Sequence, residues 1–402
     1  MSSNKDHYYT RIGVILDSEY TIDARVQNEC EYLATEGFEI HVLCMNTSTT
    51  LPQKEERNGV TISRICMPKI IYKLSALAHE IPFYSNWLAR KTTRFIGLVK
   101  PEIVHAHDIR GGIAAMRAAK QFKLPFVIDL HENRPEIMKE YRFVQRFPGK
   151  FLINLSKWKK AEKKLLQEAD RSIVVTQEAK DHYTSEYTLD PSKISVVPNS
   201  VRTAFYTNNF SGMLDDHAKK YTLIYIGDTS KRRGLLTAVN SLPELKKHIE
   251  NIELLIIGTS SFDPELKAHI EDLNVSAQVS IVGWQDAATF PNYLVSSNVG
   301  ICLIHKNLHH HTTYANKLFQ YMSFGLPLVV SDCLAQKNLV EENNCGLVIK
   351  DQSSEEFTKA ILQLYSNSTL SQELGENGRN AILREWTWEK KAKNLKEVFK
   401  SR

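Results

Sequence analysis

With 402 residues, 42% of them hydrophobic and 24% charged, the chain is too long for one ordinary core and too apolar for disorder, so two globular domains are expected. The formal charge of +5 is unevenly spread: residues 51–165 hold 23 Lys and Arg against 10 Asp and Glu, a belt that suits an anionic partner surface or a solvated face. Six scattered cysteines (Cys30, Cys44, Cys66, Cys302, Cys333, Cys345) without a CxxC pair exclude a disulfide framework or structural zinc and fit reduced, cytoplasmic thiols.

The opening MSSNKDHYYTRIGVIL has a polar lead and a short apolar stretch, the pattern of a first strand and not of a signal peptide. No apolar run reaches the roughly 18 residues that span a bilayer. Strands are expected at 11–16, 39–45, 59–65, 102–107, 125–130 and 171–176, where apolar and β-branched residues run almost unbroken. Between the first two, Val26, Cys30, Leu33 and Ala34 share a helical face. The longest helical insertion falls within 68–99, with Pro82 breaking or kinking it. A Pro-, Asn- and Ser-rich stretch at 198–212 reads as a linker. A second strand series follows at 222–227, 252–258, 278–283, 299–304, 326–332 and 345–349, with helices at 234–248 and 264–273. Such alternation implies parallel sheets with right-handed crossovers. The fold class is α/β, with two Rossmann-like doubly wound domains facing across a cleft and ligands expected beyond the carboxyl ends of the strands.

The second half carries the sharper chemical signals. Gly227-Asp228-Thr229-Ser230-Lys231-Arg232-Arg233-Gly234 leads from a strand into a helix, and such a loop offers free N–H groups and forked donors that suit a diphosphate. A merely solvated basic turn is the competing reading. Neither GxGxxG nor a Walker lysine pattern is present, which disfavours dinucleotide or ATP binding. Residues 316–323 read as a short helix that presents Asn316 and Lys317 to an anion at its N-terminus. Gln320 can reach ribose hydroxyls, while Leu318, Phe319 and Met322 face the core. His309-His310-His311 reads as a flexible loop, since three consecutive side chains rarely converge on one ion. No Asp-x-Asp appears, so no metal site and no cofactor are expected.

The pieces TIDARVQNECEYLATEGFEIHVL, PEIVHAHD, VIDLHENRPE, ADRSIVVT, VVPNSV, IGDTSKRRGL and YANKLFQYMSFGLPLVVSD together resemble the retaining glycosyltransferases of family 4, which have the GT-B fold. The resemblance covers nearly the whole chain. It implies an acceptor-side domain at 1–199, a donor domain at 200–387 and a last helix at about 388–402 that returns to the first domain. By position the resemblance implies that Arg232, Arg233, Lys317 and Gln320 bind the nucleotide-sugar donor, and Gly227, Lys231, Asn316 and Leu318 of the same loop and helix are expected beside them. Gln320 stands where the family usually has a glutamate, and Thr312 stands at the earlier acid. His131, following Asp129-Leu130, matches a histidine near the transferred sugar, with Glu132 as a second catalytic candidate. Asp17, Asp23, Arg25, His107 and Asp108 fall on the acceptor side, and His105 ends the same strand as His107.

The resemblance implies transfer with retention, without a metal, from a nucleotide-diphosphate sugar to a saccharide or lipid-linked saccharide of the bacterial surface. Two other readings remain open, a non-catalytic subunit and, third, a nucleotide-sugar epimerase. Basic and aromatic residues interleave at 68–99 and 139–164, which suits peripheral docking on anionic membrane from the cytoplasmic side. No nucleic-acid module is present.

Overall fold

The computed structural model describes residues 9–46, 51–67, 82–147, 149–207 and 219–400. They form two compact units, Met1–Pro198 with Lys391–Arg402, and Asn199–Lys390. Each is built on one sheet.

In the first unit the strands are β1 (Arg11–Ile15), β2 (Glu39–Asn46), β3 (Lys54–Arg57), β4 (Val60–Cys66), β5 (Ile103–His107), β6 (Phe126–Leu130), β7 (Arg171–Val174) and β8 (Ile194–Val196). Their order is β3-β4-β2-β1-β5-β6-β7-β8, parallel throughout except for β3 on β4. Every residue of β5 and β6 is buried, as befits strands covered on both faces. Helices α1 (Ala24–Thr35), α2 (Pro82–Val99), α3 (Asp108–Phe122), α4 (Arg134–Met138) and α5 (Leu155–Glu168) flank the sheet. The order reverses at β1, so the carboxyl ends of β1 and β5 open the crevice where such folds bind ligands.

Pro82 does not kink a helix: it is the first residue of α2, where its fixed φ and missing N–H cost nothing. The part of the expected insertion at 68–81 lies outside the described residues. Strands β3 and β8 were not expected. The first, KEER, is a charged antiparallel edge strand with little apolar signal, and the second is only three residues long.

The second unit holds β9 (Tyr221–Ile226), β10 (Ile252–Ile257), β11 (Val279–Gly283), β12 (Val299–Cys302), β13 (Leu328–Ser331) and β14 (Gly346–Ile349), all parallel, in the order β11-β10-β9-β12-β13-β14. Alternate residues feed two cores. Leu223, Tyr225 and Leu254 belong to one layer, whereas Ile224, Ile226 and Leu255 belong to the other. Its helices include α6 (Leu235–His248) and α7 (Asn316–Ser323). The strand order reverses between β9 and β12, and both helices begin beyond the carboxyl ends of those strands.

The terminal segment is two short helices, Trp388–Lys391 and α8 (Lys393–Val398). In the first unit Phe399 meets Phe38 and His105 edge-on, at 6.1 and 5.4 Å between ring centres. No helix among the described residues is long and apolar enough to cross a membrane.

Candidate functional site

In the second unit the chain leaves β9 through Gly227 and Asp228, makes one tight turn over Lys231–Arg233, and enters α6 at Leu235. Gly234 has φ +74°, and a Cβ there would stand 1.7 Å from the Leu303 carbonyl oxygen. Only glycine permits this close approach of turn to strand. Asp228 organises the turn: it accepts from the Ser230 N–H at 3.0 Å and faces Arg232 and Arg233 at 3.5 and 3.4 Å. Burial alone would raise this carboxylate, but Ser230 and the two arginines outweigh it and hold it below its ordinary value. Lys231 is exposed, whereas Arg232 and Arg233 are half-buried. Neither α6 nor α7 has a side-chain cap on its first N–H groups, and helix starts of this kind favour an anion.

Helix α7 is held by Tyr321, whose buried hydroxyl accepts from the Ile226 N–H at the end of β9, 2.9 Å away. Leu318 and Phe319 are fully buried. That anchoring places Lys317 beside the turn, with Nζ 3.5 Å above the Tyr225 ring. Asn316 is exposed and Gln320 half-buried. The crevice of the second unit therefore brings together Gly227, Arg232, Arg233 and Lys317, while Leu318 serves packing. Thr312 is buried and donates to the Leu308 carbonyl at 2.9 Å. The three histidines are not a loop but a helical turn, Leu308–His311, capped by Asn307. His310 is buried, bonds the His305 carbonyl through Nδ1 and is pushed down to about 3, mainly by burial.

In the first unit β6 delivers Asp129 and His131. Asp129 is fully buried, accepts from Arg25 Nε at 2.9 Å and lies 3.4 Å from His107 Nδ1. Arg25 also meets Glu29 at 2.9 Å and donates to the Val197 carbonyl. Glu29 in turn lies 3.4 Å from His105. Arg25 was expected to face the acceptor; its guanidinium is instead consumed inside the unit by two carboxylates. Asp23 likewise caps α1, accepting from the Val26 N–H at 3.1 Å. Glu29, His105, His107 and Asp129 bring ligand-type atoms within 4.8 Å of one another. A permanently charged guanidinium already bonds both of their carboxylates, which is the neutralisation a metal ion would otherwise supply.

His131 stands at the open end of this network, edge-on to His107 at 5.4 Å between rings. Its Nε2 is buried without a hydrogen-bond partner among the described residues. Burial would lower the imidazole, but Asp108 and Asp129 outweigh it and raise it above its ordinary value. Asp108 begins α3 at φ +56°, a conformation unusual outside glycine that tends to persist at functional positions. Burial pushes its carboxyl up to about 6. Asp17 pairs with Arg110, and Glu132 meets Arg134 at 2.9 Å. Arg110, Arg134 and Glu29 were missed by sequence reasoning. The four-residue spacing of Arg25 and Glu29 was a legible signal for one of them.

Two family models match the chain: Glycosyltransferase Family 4 over residues 23–205 and Glycosyl transferases group 1 over 213–381. Over 186 residues, 45% of each protein, the chain is 25% identical to an uncharacterized glycosyltransferase of Methanocaldococcus jannaschii, so it spans less than half of that relative. It is 20% identical over 387 residues to the UDP-Gal:alpha-D-GlcNAc-diphosphoundecaprenol alpha-1,3-galactosyltransferase of Escherichia coli, covering 92% of this chain and 91% of that one. Among solved structures, sucrose-phosphate synthase of Thermosynechococcus elongatus superposes with a TM-score of 0.78 at 16% identity, over 97% of this chain and 98% of that one. HepE of Anabaena in complex with UDP gives 0.69 at 13% identity, over 96% and 99%. With its two doubly wound sheets and both halves matched, the chain belongs to glycosyltransferase family 4, with the GT-B fold.

Proposed function

We propose that this glycosyltransferase moves a sugar from a nucleotide-diphosphate donor to a saccharide or lipid-linked saccharide, with retention of anomeric configuration and without a metal ion, in the assembly of bacterial surface polysaccharide. The observation that carries the donor reading is the convergence of two uncapped helix N-termini with Arg232, Arg233 and Lys317 at the strand-order reversal of the second sheet. Those groups match a diphosphate in charge and geometry. The E. coli relative takes a UDP-sugar and a lipid-linked acceptor by its name, and HepE holds UDP; both support the reading.

Catalysis then rests on position and charge. The cations neutralise the diphosphate as it departs, a role often given to a metal in other transferases. His131, whose imidazole Asp108 and Asp129 raise above its ordinary value against the opposing effect of burial, is suited to stabilise charge that develops as the sugar–phosphate bond breaks. The acceptor hydroxyl attacks from the face the phosphate leaves, and the departing phosphate takes its proton. No paired carboxylates of the glycosidase kind are required.

Docking on an anionic membrane fits the first unit. Phe147 and Phe151 are 84% and 78% exposed, Leu152 is half exposed, and the exposed Arg146 and Lys150 adjoin them in the chain. Ile153 and Trp158, by contrast, are core residues, and so are Tyr84 and Phe95 of the other stretch. Lys69, Tyr72 and Lys73 lie outside the described residues.

The test is incubation with UDP-, GDP- and ADP-sugars plus saccharide and polyprenyl-linked acceptors in EDTA, followed by NMR of the product. Transfer in EDTA with the donor's anomeric configuration is expected. An inverted product, or activity lost in EDTA and restored by a divalent cation, contradicts the mechanism. Binding without release, whatever the acceptor, would favour the non-catalytic reading that Gln320 and Thr312 motivate.

A further inference from the structure

Lys317 is only 8% exposed, and the groups around it compensate an ammonium poorly. Those that face it are Tyr225 from β9, Asp228 and Arg233 from the following turn, and Cys302 from β12. Burial keeps the Tyr225 hydroxyl and the Cys302 thiol neutral by pushing both up. Arg233 repels a second cation. Asp228, the one acid facing it among the described residues, is already engaged by Ser230, Arg232 and Arg233. The Tyr225 ring face offers partial compensation only. A Cβ added at Gly227 would sit 3.2 Å from Nζ, so the amine is packed against the backbone where the turn begins. Buried lysines in such surroundings give up their proton readily, and burial pulls this one down to about 7.

We propose that binding of a nucleotide diphosphate at this crevice protonates Lys317, so that the ligand enters together with one proton. The inference rests on the donor reading given above. One N–H bond forms at Nζ with a proton given up by the buffer acid, whose conjugate base stays in solution, and no bond of the ligand changes. The diphosphate supplies the counter-charge that the protein withholds, while Arg232 and Arg233 stay charged throughout. Affinity then falls as pH rises above the free enzyme's transition, by about tenfold per pH unit while one proton is linked. An unphosphorylated nucleoside brings no such counter-charge and elicits no uptake.

The experiment is calorimetric titration of the full-length protein with UDP-, GDP- and ADP-glucose at about pH 8, in HEPES, Tricine and Tris, whose ionisation heats differ and which bring no phosphate to compete for the site. Nucleotide-sugar diesters carry no phosphate proton that titrates near neutrality, so any buffer dependence belongs to the protein. The expected slope corresponds to about one proton taken up per ligand bound. K317R, whose guanidinium stays charged, should bind with a slope near zero. Wild-type affinity measured across alkaline pH supplies a second readout that needs no variant. Equal heats in all buffers together with a flat pH profile overturn this inference and leave the donor site standing. An unchanged slope in K317R overturns it too, by placing the proton elsewhere. If no nucleotide-sugar binds at any pH, the donor reading falls and this inference with it.

Discussion

Arg25 sits one position after the start of α1, where the sequence places it on the acceptor side. The structure buries it against Asp129 and Glu29. Its position on the helix was legible; its environment was not, because Asp129 lies 104 residues away and reaches it only through sheet topology. Arg25→Met leaves two buried carboxylates without a counter-charge, and stability is expected to fall by about 3–5 kcal/mol. A thermal melt reads this directly, and an unchanged midpoint would show the pair to be marginal. His131 was legible as a residue that follows a strand, but its charge state was not. Because Asp108 and Asp129 raise it, the imidazolium persists to higher pH than in a free histidine and disappears as pH climbs through that raised value. Turnover should decline over the same alkaline-going window, and His131→Ala should cost roughly 10²–10³ in kcat. A variant as active as wild type would remove His131 from the mechanism.

Elements were the most readable level. Each strand expected from an unbroken apolar run is present in both sheets, because strands covered on both faces leave that mark. Helix α7 also falls where Asn316 and Gly325 punctuate the chain. The failures share a cause. The edge strand β3 has no apolar face to show, and Pro82 reads alike as a break or a start until its neighbours are known. The histidine turn at 308–311 gains its helical form from the Asn307 cap, a local bond that competes with the loop reading. Two substitutions test how the donor crevice is built. Gly234→Ala forces a Cβ into the Leu303 carbonyl, so the turn must move and nucleotide affinity should drop by more than about tenfold, beyond a backbone cost of roughly 1–2 kcal/mol. Tyr321→Phe strands the buried Ile226 N–H, at about 1–3 kcal/mol in urea unfolding. Retained affinity in the first variant, or an unchanged midpoint in the second, would mean the crevice does not depend on these contacts.

At the scale of the whole molecule, two parallel sheets could be read from the alternation of strands and helices, and the family from motifs spread along both halves. What the pattern could not supply was which aromatics of the basic belt are outside. Phe147 and Phe151 are exposed while Trp158 is buried, a distinction made by the packing of α5 into the first unit's core and invisible in composition. Phe147→Ser with Phe151→Ser should reduce flotation with anionic vesicles severalfold without lowering the melting temperature. Equal flotation would leave the belt a solvated surface. Closing the first unit, Phe399 is fully buried against Phe38 and His105, so Phe399→Ala should cost about 3–5 kcal/mol. The central claim is that a diphosphate binds where β9 and β12 diverge, held by protein cations. The most direct test compares nucleotide-sugar affinity of wild type and the Arg232→Ala/Arg233→Ala variant in EDTA. The account predicts binding by wild type and a loss of at least about tenfold in the variant, since hydrogen bonds to charged groups contribute about 1.5–3 kcal/mol each. Equal affinity in the two proteins, or wild-type binding that requires a divalent cation, would contradict it.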